Sequence, residues 1–145
     1  MQDYVGGCLC GNIRYRLSGK ATFPHFCSCR MCQRASGAPV MAWVDFPRSA
    51  LRFEGPGGDP AFYRSSEATR RGFCPRCGSA ICAMDDGVET VSMTLATFDD
   101  ADVFVPQSHS FPGSAPSWLK VAAVGPAKGR DRARGSRRVM EDRGQ

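Results

Sequence analysis

No stretch of this 145-residue chain is apolar over the roughly 20 residues that a membrane-spanning helix requires, so no membrane span is expected. The opening residues Met1-Gln2-Asp3-Tyr4 lack both the basic segment and the apolar core of a signal peptide, and the expected address is cytoplasmic. Excess charge is scarce as well. The net charge is +5, but residues 126–145 hold seven basic and three acidic residues, which leaves +1 for the first 125. A nucleic-acid-binding domain carries its positive excess on a folded face, so the folded domain is expected to bind no nucleic acid. Residues 126–145 read as a basic, disordered tail, and residues 1–125 as one domain long enough to bury a core. There is no internal repeat beyond pairs of cysteines.

Cysteine is what the chain has in unusual supply. Seven of its eight cysteines fall into three tight clusters, Cys8-Leu9-Cys10, Cys27-Ser28-Cys29-Arg30-Met31-Cys32 and Cys74-Pro75-Arg76-Cys77, and Cys82 stands apart. Three thiols within six residues cannot all pair as disulfides, which need specific Cα and Cβ separations. A tetrahedral zinc ion suits them, and a reducing compartment favours ligands over disulfides. Short pairs act as units. Cys8 and Cys10 with Cys74 and Cys77 make a closed four-thiolate site, the structural type. Cys27, Cys29 and Cys32 then supply three ligands and leave a fourth position open, the catalytic type. Two zinc ions per chain are expected. The competing reading has Cys82 closing the second site, yet Cys82 lies in an apolar run, where a buried cysteine acts as a small hydrophobe.

The rest of the chain reads as short strands separated by glycine and proline turns, an all-β pattern. Ile13, Tyr15 and Leu17 alternate with Arg14 and Arg16, as in a half-buried strand. Gly6, Gly7 and Gly11 are expected to turn the backbone tightly around the first cysteine pair. Further strands are expected at residues 22–26, 40–46, 51–53, 62–63 and 69–73, with a hairpin from 80–84 and 89–95 and an extended segment over 103–111. Residues 29–36 make the one short helix, with Ser28 as N-cap and Gly37 at C′. Its N-terminus would favour thiolate at Cys29 and Cys32.

The ordered motifs Gly7-Cys8-Leu9-Cys10-Gly11, Cys27-Ser28-Cys29-Arg30-Met31-Cys32 and Phe73-Cys74-Pro75-Arg76-Cys77-Gly78-Ser79 resemble the glutathione-dependent formaldehyde-activating enzyme family, which shares its domain with centromere protein V. The likeness takes in Gly37 and a late His109…Trp118-Leu119 stretch, covering residues 5–120. It implies a zinc-clipped β-tent of short antiparallel strands. It also implies a structural zinc at Cys8, Cys10, Cys74 and Cys77 and a catalytic zinc at Cys27, Cys29 and Cys32. The implied activity joins glutathione to formaldehyde and is classed as a carbon–sulfur lyase. After Lys120 the chain departs from the acidic, Leu-Pro-containing ending expected of the family.

A zinc ion on three thiolates carries a formal charge of −1 and suits a further soft ligand better than the generation of hydroxide. The expected partners are therefore a small-molecule thiol such as glutathione and a small aldehyde. Arg30 and Arg34, flanking the triad at helical spacing, are candidates to receive the carboxylates of a peptide thiol. His109 is a candidate proton carrier, and His25 a candidate outer neighbour of Cys27. A different class of function, a zinc-stabilised binding module without turnover, fits the same cysteine pattern. A methionine-sulfoxide reductase, which uses a related zinc-clipped fold, would need a reactive free cysteine, and Cys82 is the sole candidate.

Overall fold

The computed structural model describes residues 2–122. The tail expected at residues 126–145, and the boundary at 125, lie outside the described residues. Among the described residues ten strands and one α-helix form in chain order. They are β1 (Asp3–Gly7), β2 (Arg14–Ser18), β3 (Thr22–Cys27), α1 (Arg30–Ser36), β4 (Met41–Pro47), β5 (Leu51–Phe53), β6 (Ala61–Arg64), β7 (Thr69–Phe73), β8 (Ala80–Asp85), β9 (Thr90–Thr94) and β10 (His109–Ser110). Among the described residues no helix is long and apolar enough to cross a membrane.

The alternating pattern around residue 15 builds the first layer. Ile13, Tyr15 and Leu17 are buried to 1% exposure or less. Arg14 and Arg16 point outward, Arg14 gripping Asp99 with two hydrogen bonds and Arg16 reaching Glu54. β2 sits between β1 and β5 in a three-stranded sheet. The remaining strands form a seven-stranded sheet in the order β10-β3-β4-β9-β8-β7-β6. The core packs between the sheets, where Ile13, Tyr15 and Leu17 meet Val44, Phe46, Ile81 and Met93. Each such side chain contributes about 1.5–3 kcal/mol by leaving water.

Opposed residues in antiparallel strands point to one side of the sheet, so the register assigns faces. Val44, Met93, Cys82 and Gly72 align across β4, β9, β8 and β7. Val44, Met93 and Cys82 all belong to the inter-sheet core. The opposite face carries Cys27 and Trp43 in β3 and β4, and Arg71 and Tyr63 in β7 and β6. α1 follows β3 directly on that side. A cluster of Cys27, Cys29, Cys32, Trp43 and Ala83 packs there, with Met31, Met41 and Phe111 around it.

Three expectations need correction. Gly6 and Gly7 do not turn around an ion; they end β1, where bare backbone is needed. A Cβ on Gly6 would stand 2.3 Å from the Tyr15 hydroxyl and 2.4 Å from the Thr97 carbonyl. The turn falls instead to Gly11, at φ +79°. The helix is capped by Cys29 rather than Ser28, the Cys29 sulfur accepting from the Cys32 amide. The extended segment expected over 103–111 does not run to its end, since Phe111 takes φ +52°; within it His109–Ser110 pairs with β3 in parallel, beside Phe26 and Cys27. Gly37 closes the helix at φ +71°, as expected of C′.

Candidate metal centres and pocket

The first cysteine group joins the two sheets. Cys8 and Cys10 lie on the turn between β1 and β2, while Cys74 and Cys77 lie on the turn between β7 and β8. Their four sulfurs stand within 4.8 Å of one another. The Ile13 amide donates to Cys8 Sγ at 3.2 Å, and the Cys77 amide to Cys74 Sγ at 3.4 Å. These are knuckle turns that aim backbone N–H groups at sulfur. Gly78, at φ +80°, returns its amide to the Cys74 carbonyl. Ser79 links the two turns, its hydroxyl accepting from the Leu9 amide and contacting Cys77 Sγ at 3.2 Å. That hydroxyl, followed by the Ser79 and Cys10 backbone bonds, pulls the Cys77 thiol down to about 5.

The second group is Cys27, Cys29 and Cys32, again within 4.8 Å and exposed by no more than 1%. Cys27 ends β3, Cys29 caps α1 and Cys32 lies in its first turn, so six residues deliver three sulfurs to one point. Cys82 is outside both groups. Its sulfur faces the missing Cβ of Gly72, which would lie 2.7 Å away, and burial pushes its thiol up to about 12. Hydrogen bonds with Cys29 and Cys32, then burial, drive the Cys27 thiol far above the ordinary range. Cys29 is lowered by its bond with Cys27 but raised more by Cys32 and burial, ending at about 11.

Both donor sets fit a zinc ion. A tetrahedron with 2.3 Å metal–sulfur bonds has sulfur–sulfur edges of about 3.8 Å. Cys8 and Cys10 stand 3.6 Å apart, and Cys10 and Cys74 3.8 Å apart, distances far beyond a disulfide bond. None of the eight cysteines forms a disulfide. The donors are thiols, the soft ligands that a zinc ion would deprotonate on binding.

A pocket of about 280 Å³ reaches the second group at Cys32, lined among others by Met41, Trp43, Tyr63, Arg71 and Ala80. Arg30 and Arg34 are not part of this lining. Arg30 turns to the Gln33 side-chain oxygen and Arg34 is exposed. The cation at the pocket is Arg71, with both terminal nitrogens 3.8 Å from Cys32 Sγ. Sequence reading missed it because only the β6-β7-β8 register carries it to a cysteine 39 positions away.

The histidines are held by their neighbours. His25 is fully buried, stacks on Phe23 with centroids 4.0 Å apart and donates its Nδ1 hydrogen to the Phe23 carbonyl. His109 Nε2 meets the Ser28 hydroxyl at 2.7 Å, and burial holds its pKa below the ordinary imidazole value. Gln33 donates to the carbonyls of Ser28 and Ser114, fastening α1 to the segment after β10. The loop carrying the three cysteines is thus braced from both sides.

A family model described as glutathione-dependent formaldehyde-activating enzyme matches residues 3–114. A crystal structure of a Rhodobacter sphaeroides protein superposes with a TM-score of 0.54 at 22% identity, over 70% of this chain and 97% of that one. At that identity the likeness concerns the fold. No curated protein matches the chain.

Proposed function

The chain belongs to the glutathione-dependent formaldehyde-activating enzyme family, and from that premise we propose a zinc-dependent enzyme of the carbon–sulfur lyase type. It binds a thiol such as glutathione at Cys27, Cys29 and Cys32 and promotes its adduct with formaldehyde or a related small aldehyde. Zinc at Cys8, Cys10, Cys74 and Cys77 clips the sheets together, and the enzyme works in the cytoplasm, where thiols stay reduced. The single observation that carries this reading is a group of three buried sulfurs, with Cys82 outside it, meeting a pocket at Cys32.

Cys27, Cys29 and Cys32 would hold the zinc ion, which when bound would supply a soft fourth position favouring the thiolate form of a thiol. The chain's own residues do the rest. Cys29 and Cys32 are fixed by the cap hydrogen bond, so the site is ordered before substrate enters. Met41 and Trp43 give the pocket apolar walls that exclude water from the reacting sulfur, and the exposed Tyr63 also lines it. In the reaction a sulfur–carbon bond forms, the carbonyl π pair moves to oxygen, and that oxygen takes the proton the thiol gave up. Holding thiol and aldehyde together is the main source of acceleration. Arg71 beside Cys32 makes the site less repulsive to an anionic thiol.

The test is the rate at which the S-hydroxymethyl adduct forms from glutathione and formaldehyde, followed by carbon-13 NMR. The zinc-loaded protein should raise this rate on the order of 10²-fold or more over the uncatalysed reaction. Cys82→Ser should keep that rate. A protein that leaves the rate at the uncatalysed value is not this enzyme, and the binding-module reading then takes its place.

A further inference from the structure

Arg71 is a buried cation whose described contacts lead to a sulfur. It is 9% exposed, its Nε donates to the Ser65 hydroxyl at 3.2 Å, and its two terminal nitrogens straddle Cys32 Sγ at 3.8 Å. Among the described residues the carboxylate ion pairs join Arg14 to Asp99, Arg16 to Asp3 and Glu54, and Arg64 to Asp86; Arg71 is in none of them. A guanidinium keeps its charge in a protein, and a buried charge is retained only with a compensating partner. The partner within reach is the three-cysteine cluster. A divalent cation with three thiolates carries −1, and a further thiolate would make it −2. Arg71 returns these totals to 0 and −1.

The fork geometry adds direction to charge. Two N–H groups from one planar group fix the position of the sulfur they share, and such outer partners orient and tune metal ligands. Arg71 itself is held by the β7-β8 pairing with Ala83 and by Ser65, so it does not follow the cluster but constrains it. We propose that Arg71 is the positioning residue of the three-cysteine site. It orients Cys32 Sγ and offsets the surplus negative charge, so that the site accepts a metal ion and then an anionic thiol. This rests on reading Cys27, Cys29 and Cys32 as a metal site.

The experiment is competition of the zinc-loaded full chain with a chromophoric chelator, in wild type, Arg71→Met, Arg71→Lys and Cys29→Ser, with Arg71→Met also placed in the Cys29→Ser background. The Cys29→Ser protein should hold one zinc ion fewer than wild type. If it holds as many, no metal sits at the three cysteines, and the site reading falls together with the role of Arg71. With that established, Arg71→Met should weaken one of the two zinc sites by about 10- to 100-fold and leave the other unchanged. Lysine, which keeps the charge without the fork, should recover much of the loss. In the Cys29→Ser background Arg71→Met should change nothing at the remaining site. Equal weakening of both sites by Arg71→Met would make Arg71 a general structural residue, and no weakening at either, or a lysine variant no better than methionine, would equally overturn the proposal.

Discussion

Cys74→Ser is expected to yield unfolded or insoluble protein. Cys74 is fully buried, and its sulfur stands 3.8 Å from that of Cys10, on the turn of the other sheet. A metal ion joining Cys8 to Cys74 closes a loop of about 66 residues, worth about 4 kcal/mol by chain entropy alone. Apparent binding energies at structural zinc sites reach about 10–16 kcal/mol, and binding energy there is folding energy. A domain whose whole stability is about 5–15 kcal/mol cannot lose a large part of that and stay folded. Circular dichroism and solubility of the purified variant decide the matter. A folded Cys74→Ser protein with an unchanged melting temperature would remove the clip from the account.

The opposite outcome is expected of Cys29→Ser. This protein should stay folded, with a melting temperature within a few degrees of wild type, and lose one metal ion. The reason is local. Cys29 is the N-cap of α1, and serine is a better N-cap than cysteine, so the hydrogen bond to the Cys32 amide survives the change. The three cysteines span six residues of one segment, so their metal closes no long loop. Gln33 holds the helix to the carbonyls of Ser28 and Ser114 without help from any sulfur. Metal content by atomic emission, measured beside a thermal melt, checks both halves. Loss of folding equal to that of Cys74→Ser would contradict the division of the cysteines into a clip and an open site.

The gathering of seven cysteines into groups of four and three is legible in their spacing because it is local chemistry. Cysteines two or three apart share one turn, and the turns recur at the places where the fold needs them. The strand at residues 14–18 was equally open to reading, since Ile13, Tyr15 and Leu17 alternate with two arginines whose partners are on the surface. β5 and β7 also fall at their expected residues. What escaped depends on long-range pairing. β1 is hidden because Gly6 and Gly7 carry no strand pattern; Gly6 leaves space for Tyr15 and Thr97, and Gly7 for the Ile13 carbonyl and the Arg14 side chain. β10 is two residues long, and only its bonds to β3 define it. Arg71 resembles its neighbour Arg70 in sequence, yet strand alternation sends Arg70 over the Phe62 ring and Arg71 to Cys32. No local pattern separates the two. The arginines that spacing did nominate, Arg30 and Arg34, sit on a helix whose pocket-lining residues are Cys32, Ala35 and Ser36.

The function proposed for Cys27, Cys29 and Cys32 requires that a small-molecule thiol bind at their metal. The most direct measurement is titration of the cobalt-substituted protein with glutathione, following the metal–thiolate absorption together with proton release. A saturable spectral change is expected, with about one proton released per thiol, because a coordinating thiol is deprotonated. Binding should tighten as pH rises, since the proton is then lost more easily. The change should vanish in Cys29→Ser and persist in Cys82→Ser. A spectrum that does not respond to thiol, or one whose response is lost with Cys82, would contradict it.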